Sequence, residues 1–274
     1  MNNDDFDLQP LLGERFARAW ERSPADARAP RQRLMQRVEA SLRAEAGMVT
    51  VRRRRARPRA LAEGVLLQTL YRASAALRPG EPRRASLVEL APGAPLPPGL
   101  LADDTLPGAC HREWLVLEGR VARAGSDEPA LNARDYHVTP AGHAMPHWRA
   151  EAHTLLFLRE SELPATPDDR PLTVRDAEAG WADYAPGIRR RVLWTREGQA
   201  AMLYRADAGA AVPRHVHVHD EECLMVEGEL FLDDVLLQRG DYQLAPAGSG
   251  HRFTATDTGV VIYAHGDLDL SFVD

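Results

Sequence analysis

Between residues 209 and 251 the chain reads Gly209-x5-His215-x-His217-x3-Glu221-x6-Gly228, then Gly240-x5-Pro246-x-Gly248-x2-His251. Neutral imidazoles and a carboxylate are the donors that zinc, iron, manganese, nickel and cobalt accept. In a strand alternate side chains share a face, so His215 and His217 point the same way. A short turn, Val218-His219-Asp220, leads to a returning strand that Glu221 opens and Gly228 ends. A third strand, Gly240 to Ala245, is stopped by Pro246-Ala247-Gly248-Ser249-Gly250, which delivers His251. Proline cannot donate to a sheet ladder and glycine tolerates positive φ, so this segment predicts a corner. The chemistry expected of such a set is capture of a single divalent metal ion.

Four further side chains lie close to the ligands in sequence. Glu222 is the alternative carboxylate, although strand parity turns it away from Glu221. His219 reads as a solvated turn residue or as a proton donor beside the metal. Cys223 and Met225 follow Glu221 on the inward face. They read as ordinary core fillers or as oxidisable groups next to the ion.

The two half-motifs are similar to the cupin signature, with Ala255 in place of its final Asn. The wider stretches His-x-His-x3-Glu-Glu-x-Leu-x-Val-Glu-Gly and Gly-Asp-Tyr-x2-Ala-Pro-Ala-Gly-Ser-x-His resemble the cupin domain of ChrR-type anti-sigma factors. The resemblance implies a mainly β protein built on the cupin double-stranded β-helix (jelly-roll) barrel. It implies zinc held by His215, His217, Glu221 and His251, with iron, manganese or nickel as other occupants of the same donors. It also implies a regulatory, stress-sensing role in which an extracytoplasmic-function sigma factor is the partner. The chain departs from that family at its start, because residues 1–47 contain no His and no Cys for the usual His-x3-Cys-x2-Cys zinc motif. The alternative is a mononuclear-metal enzyme, a dioxygenase, decarboxylase or isomerase, since cupin ligands serve these too. Only Arg214 and Arg252 stand next to the ligands as clamps for a substrate anion, and parity turns both outward, so the balance favours a protein that is not an enzyme.

The chain is internally duplicated. Leu90 to Pro97 echoes Ala206 to Pro213, Glu113 to Gly119 echoes Glu222 to Gly228, and Arg134 to Gly142 echoes Gly240 to Gly248. Two tandem cupin barrels are therefore expected. In the first copy the ligand positions fall on Gly99, Leu101, Arg112 and Met145, none of which completes a metal site. Cys110, His111, His143 and His147 lie near those positions, at a spacing that fits no zinc pattern.

The expected organisation is a helical N-terminal segment at 1–47, a degenerate barrel at 48–160, a Pro-rich linker at 161–171 and the metal-binding barrel at 172–274. The apolar periodicities Leu12/Phe16/Trp20 and Leu34/Val38/Leu42 predict two amphipathic helices in the first segment. The chain has 274 residues, 44% of them hydrophobic, which is enough for two packed domains. Two cysteines, Cys110 and Cys223, are too few for a disulfide scaffold. No apolar run approaches a membrane span and the N-terminus is acidic, so a cytoplasmic protein without membrane contact is expected. The net charge is −6, yet residues 1–60 hold fourteen arginines against eight acidic residues. Arg52-Arg53-Arg54-Arg55 lacks interleaved aromatics, and as a strand it would alternate faces, so no direct nucleic-acid contact is expected. A homodimer is compatible with the duplicated fold.

Overall fold

The computed structural model describes residues 31–32, 34–36, 38–39, 47–73, 80–96, 98–101 and 110–273. The described residues of the first unit, Met1–Ala46, are helical. The Leu12/Phe16/Trp20 stripe and Leu42 lie outside the described residues. None of the described helices is long and apolar enough to cross a membrane.

The second unit, Gly47–Asp274, contains both barrels. Their large sheets repeat one another strand for strand. In the N-terminal barrel the order is Leu172–Val174, Tyr136–Thr139, His111–Glu118, Thr154–Ser161, Pro82–Leu90, Val65–Arg72, Arg59–Ala62. In the C-terminal barrel it is Val49–Val51, Tyr242–Ala245, Glu221–Leu232, Val260–Asp267, Gln199–Ala206, Ile188–Arg196, Ala182–Ala185. All of these pairings are antiparallel. Shorter strands close the opposite side of each barrel, as a cupin jelly roll requires.

The first strand of each segment is exchanged. Val49–Val51 pairs with Tyr242–Ala245 in the C-terminal barrel, and Leu172–Val174 pairs with Tyr136–Thr139 in the N-terminal barrel. A division at the Pro-rich stretch therefore separates the chain into segments but not into barrels. Between the first two strands, Arg53–Arg55 forms a 3-10 turn rather than the continuous strand that the arginine run suggests. Asp241 accepts the Arg53 amide at 2.9 Å and the Arg52 guanidinium at 2.8 Å, which bends the chain there.

The largest hydrophobic cluster draws on both barrels. Leu87, Leu115, Tyr136 and Phe157 pack with Leu203, Leu224, Tyr242 and Tyr263. A polar knot lies within this apolar layer. Arg159, 2% exposed, donates to Glu222 through Nε, to Glu113 Oε1 at 2.9 Å through one terminal nitrogen and to the Gly80 carbonyl at 2.7 Å through the other. The Tyr136 and Tyr263 hydroxyls donate to Glu113 Oε2 at 2.8 Å, and the Tyr242 hydroxyl donates to Glu222 Oε1 at 2.7 Å. Glu113 and Glu222 are equivalent positions of the two copies, so one guanidinium ties the barrels together through a matched pair of carboxylates. His111 and His265 flank Glu113 Oε1 at 3.7 and 3.5 Å, and the His111 ring also packs at a tilt against Trp194 with ring centres 4.6 Å apart.

A buried ion pair that loses one partner leaves an uncompensated charge, at a cost of about 3–5 kcal/mol. Arg159→Met is expected to lower the urea midpoint by that much stability. Adding Glu113→Gln and Glu222→Gln should return most of the loss; an Arg159→Met protein as stable as the parent shows that the knot is not a structural tie. Burial lowers the His111 imidazole to about 4, and burial together with Arg159 lowers His265 to about 3. Both sit below the ordinary value of about 6.5, so the unfolded chain binds protons that the native one does not as pH falls from about 6.5 to 4. Stability is therefore fully present above that window and declines within it, by roughly 1.4 kcal/mol per pH unit for each histidine. Denaturant titrations at pH 7, 6 and 5 should show this slope, and His265→Asn should make it shallower by one proton; an unchanged slope removes His265 from the linkage.

Candidate metal centre

The ligand candidates converge because three short strands meet at one end of the C-terminal barrel. His215–Val216 pairs with Gly250–His251, placing His215 opposite His251, and with Ser271–Phe272 on its other side. The His217 amide donates to the Ser249 carbonyl at 2.9 Å, and the Gly248 amide returns to the His217 carbonyl at 2.8 Å. Gly250 makes this close pairing possible, since a Cβ there would run into the His215 carbonyl. Glu221 begins the strand Glu221–Leu232 that passes beneath.

The three imidazoles form a triangle with ring centres 5.1, 5.2 and 5.6 Å apart. Glu221 Oε2 lies 3.4 Å from His217 Nε2 and 3.8 Å from His251 Nε2. Donor atoms of His215, His217 and Glu221 all fall within 4.8 Å of one another, and theirs is the only His/Cys/Asp/Glu group of that kind among the described residues. All three histidines are buried.

Two of the rings have their outer nitrogens occupied. His215 Nδ1 lies 2.9 Å from the Pro213 carbonyl, which keeps a proton there and leaves Nε2 facing the cluster. His251 Nδ1 lies 3.3 Å from Asp233 Oδ2, with the same consequence. The third ring, His217, is buried, and among the described residues neither of its nitrogens has a hydrogen-bond partner. Such an orphan is costly unless an ion or water completes it. Burial, together with His251 and His215, lowers the His217 imidazole against the pull of Glu221, favouring the neutral form that metals bind. On this donor set and this orphan, the residues fit a divalent metal.

Sequence reasoning missed Asp233. It sits at φ 53° in the tight Asp233-Asp234 turn between Glu221–Leu232 and Val235–Gln238, and it is 7% exposed. Burial opposes its ionisation, but hydrogen bonds from His251 and from the Arg252 amide at 2.9 Å hold its carboxyl below the ordinary range. A carboxylate behind a ligating imidazole fixes the tautomer and strengthens the ligand. The Asp-Asp pair between two apolar strands announced a turn but not a partner for a histidine far along the chain.

The other residues expected around the site separate into different environments. Cys223 lines a cavity of about 70 Å³ directly below the ligands. Its thiol is free and fully buried, and burial, reinforced by Glu221, pushes it well above the usual range. Met225 packs into the small core with Leu230, Leu237 and Val260 and does not line the cavity. His219 is held by Asp267, whose Oδ1 lies 2.6 Å from its Nδ1 and which also caps the amides of Val218 and His219 at 2.6 and 3.2 Å. His219 therefore serves the turn, and none of its contacts among the described residues reaches the ligands. Glu222 faces the opposite side of the strand and belongs to the interbarrel knot, so it is not a neighbour of the metal site. Arg252 pairs with Asp233 and Asp234 at 3.3 and 3.4 Å, outside the cavity.

In the N-terminal barrel the equivalent space is filled. Arg112 stands where the other copy has Glu221, Glu160 where it has Gly266, and Arg84 where it has Ala200, as the matching strand registers show. These three form an ion triad: Arg84 pairs with Glu160, and Arg112 Nε lies 3.0 Å from Glu160 Oε1. Trp114 replaces Cys223 and packs edge-on to Trp148 in the barrel interior. The C-terminal barrel keeps its site open with Gly266, where even a Cβ would stand 3.3 Å from Glu221. Cys110, His111, His143 and His147 do not gather into a site; His111 faces the interbarrel knot instead.

Residues 169–269 match the family model described as ChrR Cupin-like domain. No curated protein matches the sequence. Among solved structures, E. coli Ylba is 14% identical over 80% of this chain and 90% of its own, with a TM-score of 0.58. AerE from Microcystis aeruginosa is 16% identical over 78% and 97%, with a TM-score of 0.57. The oxalate decarboxylase of Lactobacillus farciminis, in its formate complex, is 13% identical over 82% and 87%, with a TM-score of 0.56. These likenesses establish the two-barrel cupin fold.

Partners behind metal-bound histidines contribute about 10- to 100-fold to affinity. Asp233→Asn is therefore expected to weaken divalent-metal binding by that factor in a chelator competition, with the fold intact. Equal affinity in the variant would show that Asp233 only shapes the turn.

Proposed function

We propose that the C-terminal barrel binds one zinc ion through His215, His217, Glu221 and His251, and that the protein is a metal-dependent regulator related to anti-sigma factors. The observation that carries this reading is the character of the cavity beside the ligands. It is small, about 70 Å³, and its walls come from groups such as Ile188, Val212, Leu230, Leu232 and Ile262. Among its lining residues the only acidic or basic side chains are the metal-facing Glu221, His215 and His251. Among the described residues no arginine lines it to hold an anionic substrate. Zinc bound there would supply a fixed positive charge that locks four side chains from three separate segments into one arrangement.

The match to the ChrR cupin-like family supports a regulatory setting, with an extracytoplasmic-function sigma factor as the partner. Without the upstream zinc motif, that contact would run through the apolar stripe Leu12/Phe16/Trp20. The raised Cys223 thiol is protonated at neutral pH, so a stimulus that needs a thiolate finds little there. Oxidative signalling through this barrel would then act on metal occupancy. A cupin enzyme acting on a small uncharged molecule is the second reading, favoured by the void that adjoins the ligands.

Elemental analysis of the purified full chain, paired with capture of a sigma factor, tests the proposal. One zinc per chain, lost in His215→Ala and Glu221→Gln, is expected, together with sigma-factor capture that Leu12→Ala/Phe16→Ala/Trp20→Ala abolishes. Undiminished metal in the ligand variants refutes the site. Iron or manganese with oxygen uptake or substrate turnover refutes the regulator and favours the enzyme.

A further inference from the structure

The arginine run at Arg52–Arg55 has no part in the metal site, yet it is built into the crossover between the barrels. The chain leaves the C-terminal barrel at Val51, turns through Arg53–Arg55 and enters the N-terminal barrel at Arg59. That turn is held at three points. The Asp241 carboxylate accepts from the Arg53 amide, Gln68 Nε2 donates to the carbonyls of Arg53 and Ala56, and the aliphatic stem of Arg53 lies over Gly240 where any side chain would stand. The result is a concavity of about 390 Å³ bordered by Arg52, Arg53, Arg54, Gln68, Arg239 and Asp241.

Four arginines therefore face one carboxylate, in a chain whose net charge is −6. Asp241 is already committed to Arg52 and to the Arg53 amide. Arg239 pairs with Glu118 at 3.0 Å, where both side chains are about half exposed and such a pair is worth little. Among the described residues, no carboxylate lies within ion-pair reach of the Arg53 or Arg54 guanidinium. Clustered cations without counter-charges repel one another, and an anion relieves that repulsion.

We infer that this crossover is a binding site for a small, multiply charged phosphorylated anion. The guanidinium fork matches phosphate oxygens in pairs. A volume of about 390 Å³ lies at the lower end of small-molecule pockets, roughly 300–1,000 Å³. Among the described residues none that borders it carries an aromatic ring, so they offer a nucleobase no stacking platform. That argues for a pyrophosphate or sugar bisphosphate type of ligand over a nucleic-acid strand. Because the turn is pinned before any ligand arrives, little ordering cost is left for binding.

Isothermal titration of the full chain with pyrophosphate and with fructose bisphosphate, at physiological ionic strength, tests the site. One-to-one binding of at least one anion is expected. Arg53→Gln and Arg54→Gln should each weaken it by about tenfold or more, the loss of one charge-assisted contact. Arg54 is exposed and makes no ion pair among the described residues, so its variant should fold as the parent does. Binding should persist in His215→Ala, which separates this site from the metal centre. No binding of either anion, or binding by both arginine variants as tight as the parent's, overturns the inference. Tighter binding of an oligothymidylate strand that the same variants abolish also overturns it, in favour of nucleic acid.

Discussion

Arg159 lies buried between the two barrels and makes the contact on which their arrangement depends. Its guanidinium spans Glu113 of one copy and Glu222 of the other inside an otherwise apolar interface. Three tyrosine hydroxyls satisfy the remaining carboxylate oxygens, so the buried charges do not go unpartnered. The tie reaches the candidate metal centre through a single peptide link. Glu222 points to the interface, and strand alternation then turns Glu221 to the barrel interior. Fixing one side of that strand fixes the other.

Duplication makes the two interiors a controlled comparison. The strands, registers and interface carboxylates are shared, while a few inward positions decide what each barrel holds. Trp114 and the Arg84–Glu160–Arg112 triad fill the N-terminal barrel. Cys223, Ala200 and Gly266 leave the C-terminal barrel open around Glu221. The first copy thus fills with an internal ion triad the space that the second copy leaves open beside Glu221.

Much of this was legible in the sequence, for definite reasons. Metal donors occur at fixed spacings, turns carry Gly and Pro, and a repeat betrays itself by self-comparison, so the duplicated β architecture and the donor set His215, His217, Glu221 and His251 were legible in the residues, while the cupin barrel itself came from the family resemblance. Strand parity also placed Glu222 on the far face. Long-range pairing was not legible. Nothing local marks Asp233 as the partner of His251, Asp267 as the cap of His219, or Arg159 as the link between two glutamates more than forty residues to either side. The exchange of Val49–Val51 and Leu172–Val174 was hidden for the same reason, since a short strand does not state which sheet it joins. The arginine run misled in a different way, because Asp241 bends it into a turn that periodicity alone would draw as a strand.

The central claim is that one ion is held by three imidazoles and one carboxylate, with Cys223 close by but uncoordinated. X-ray absorption of the zinc-loaded full chain tests this most directly. A shell of nitrogen and oxygen alone at ~2.0–2.1 Å, with the multiple scattering of three imidazoles, is the predicted result. A sulfur shell at ~2.3 Å, or scattering from fewer than three imidazoles, would contradict it.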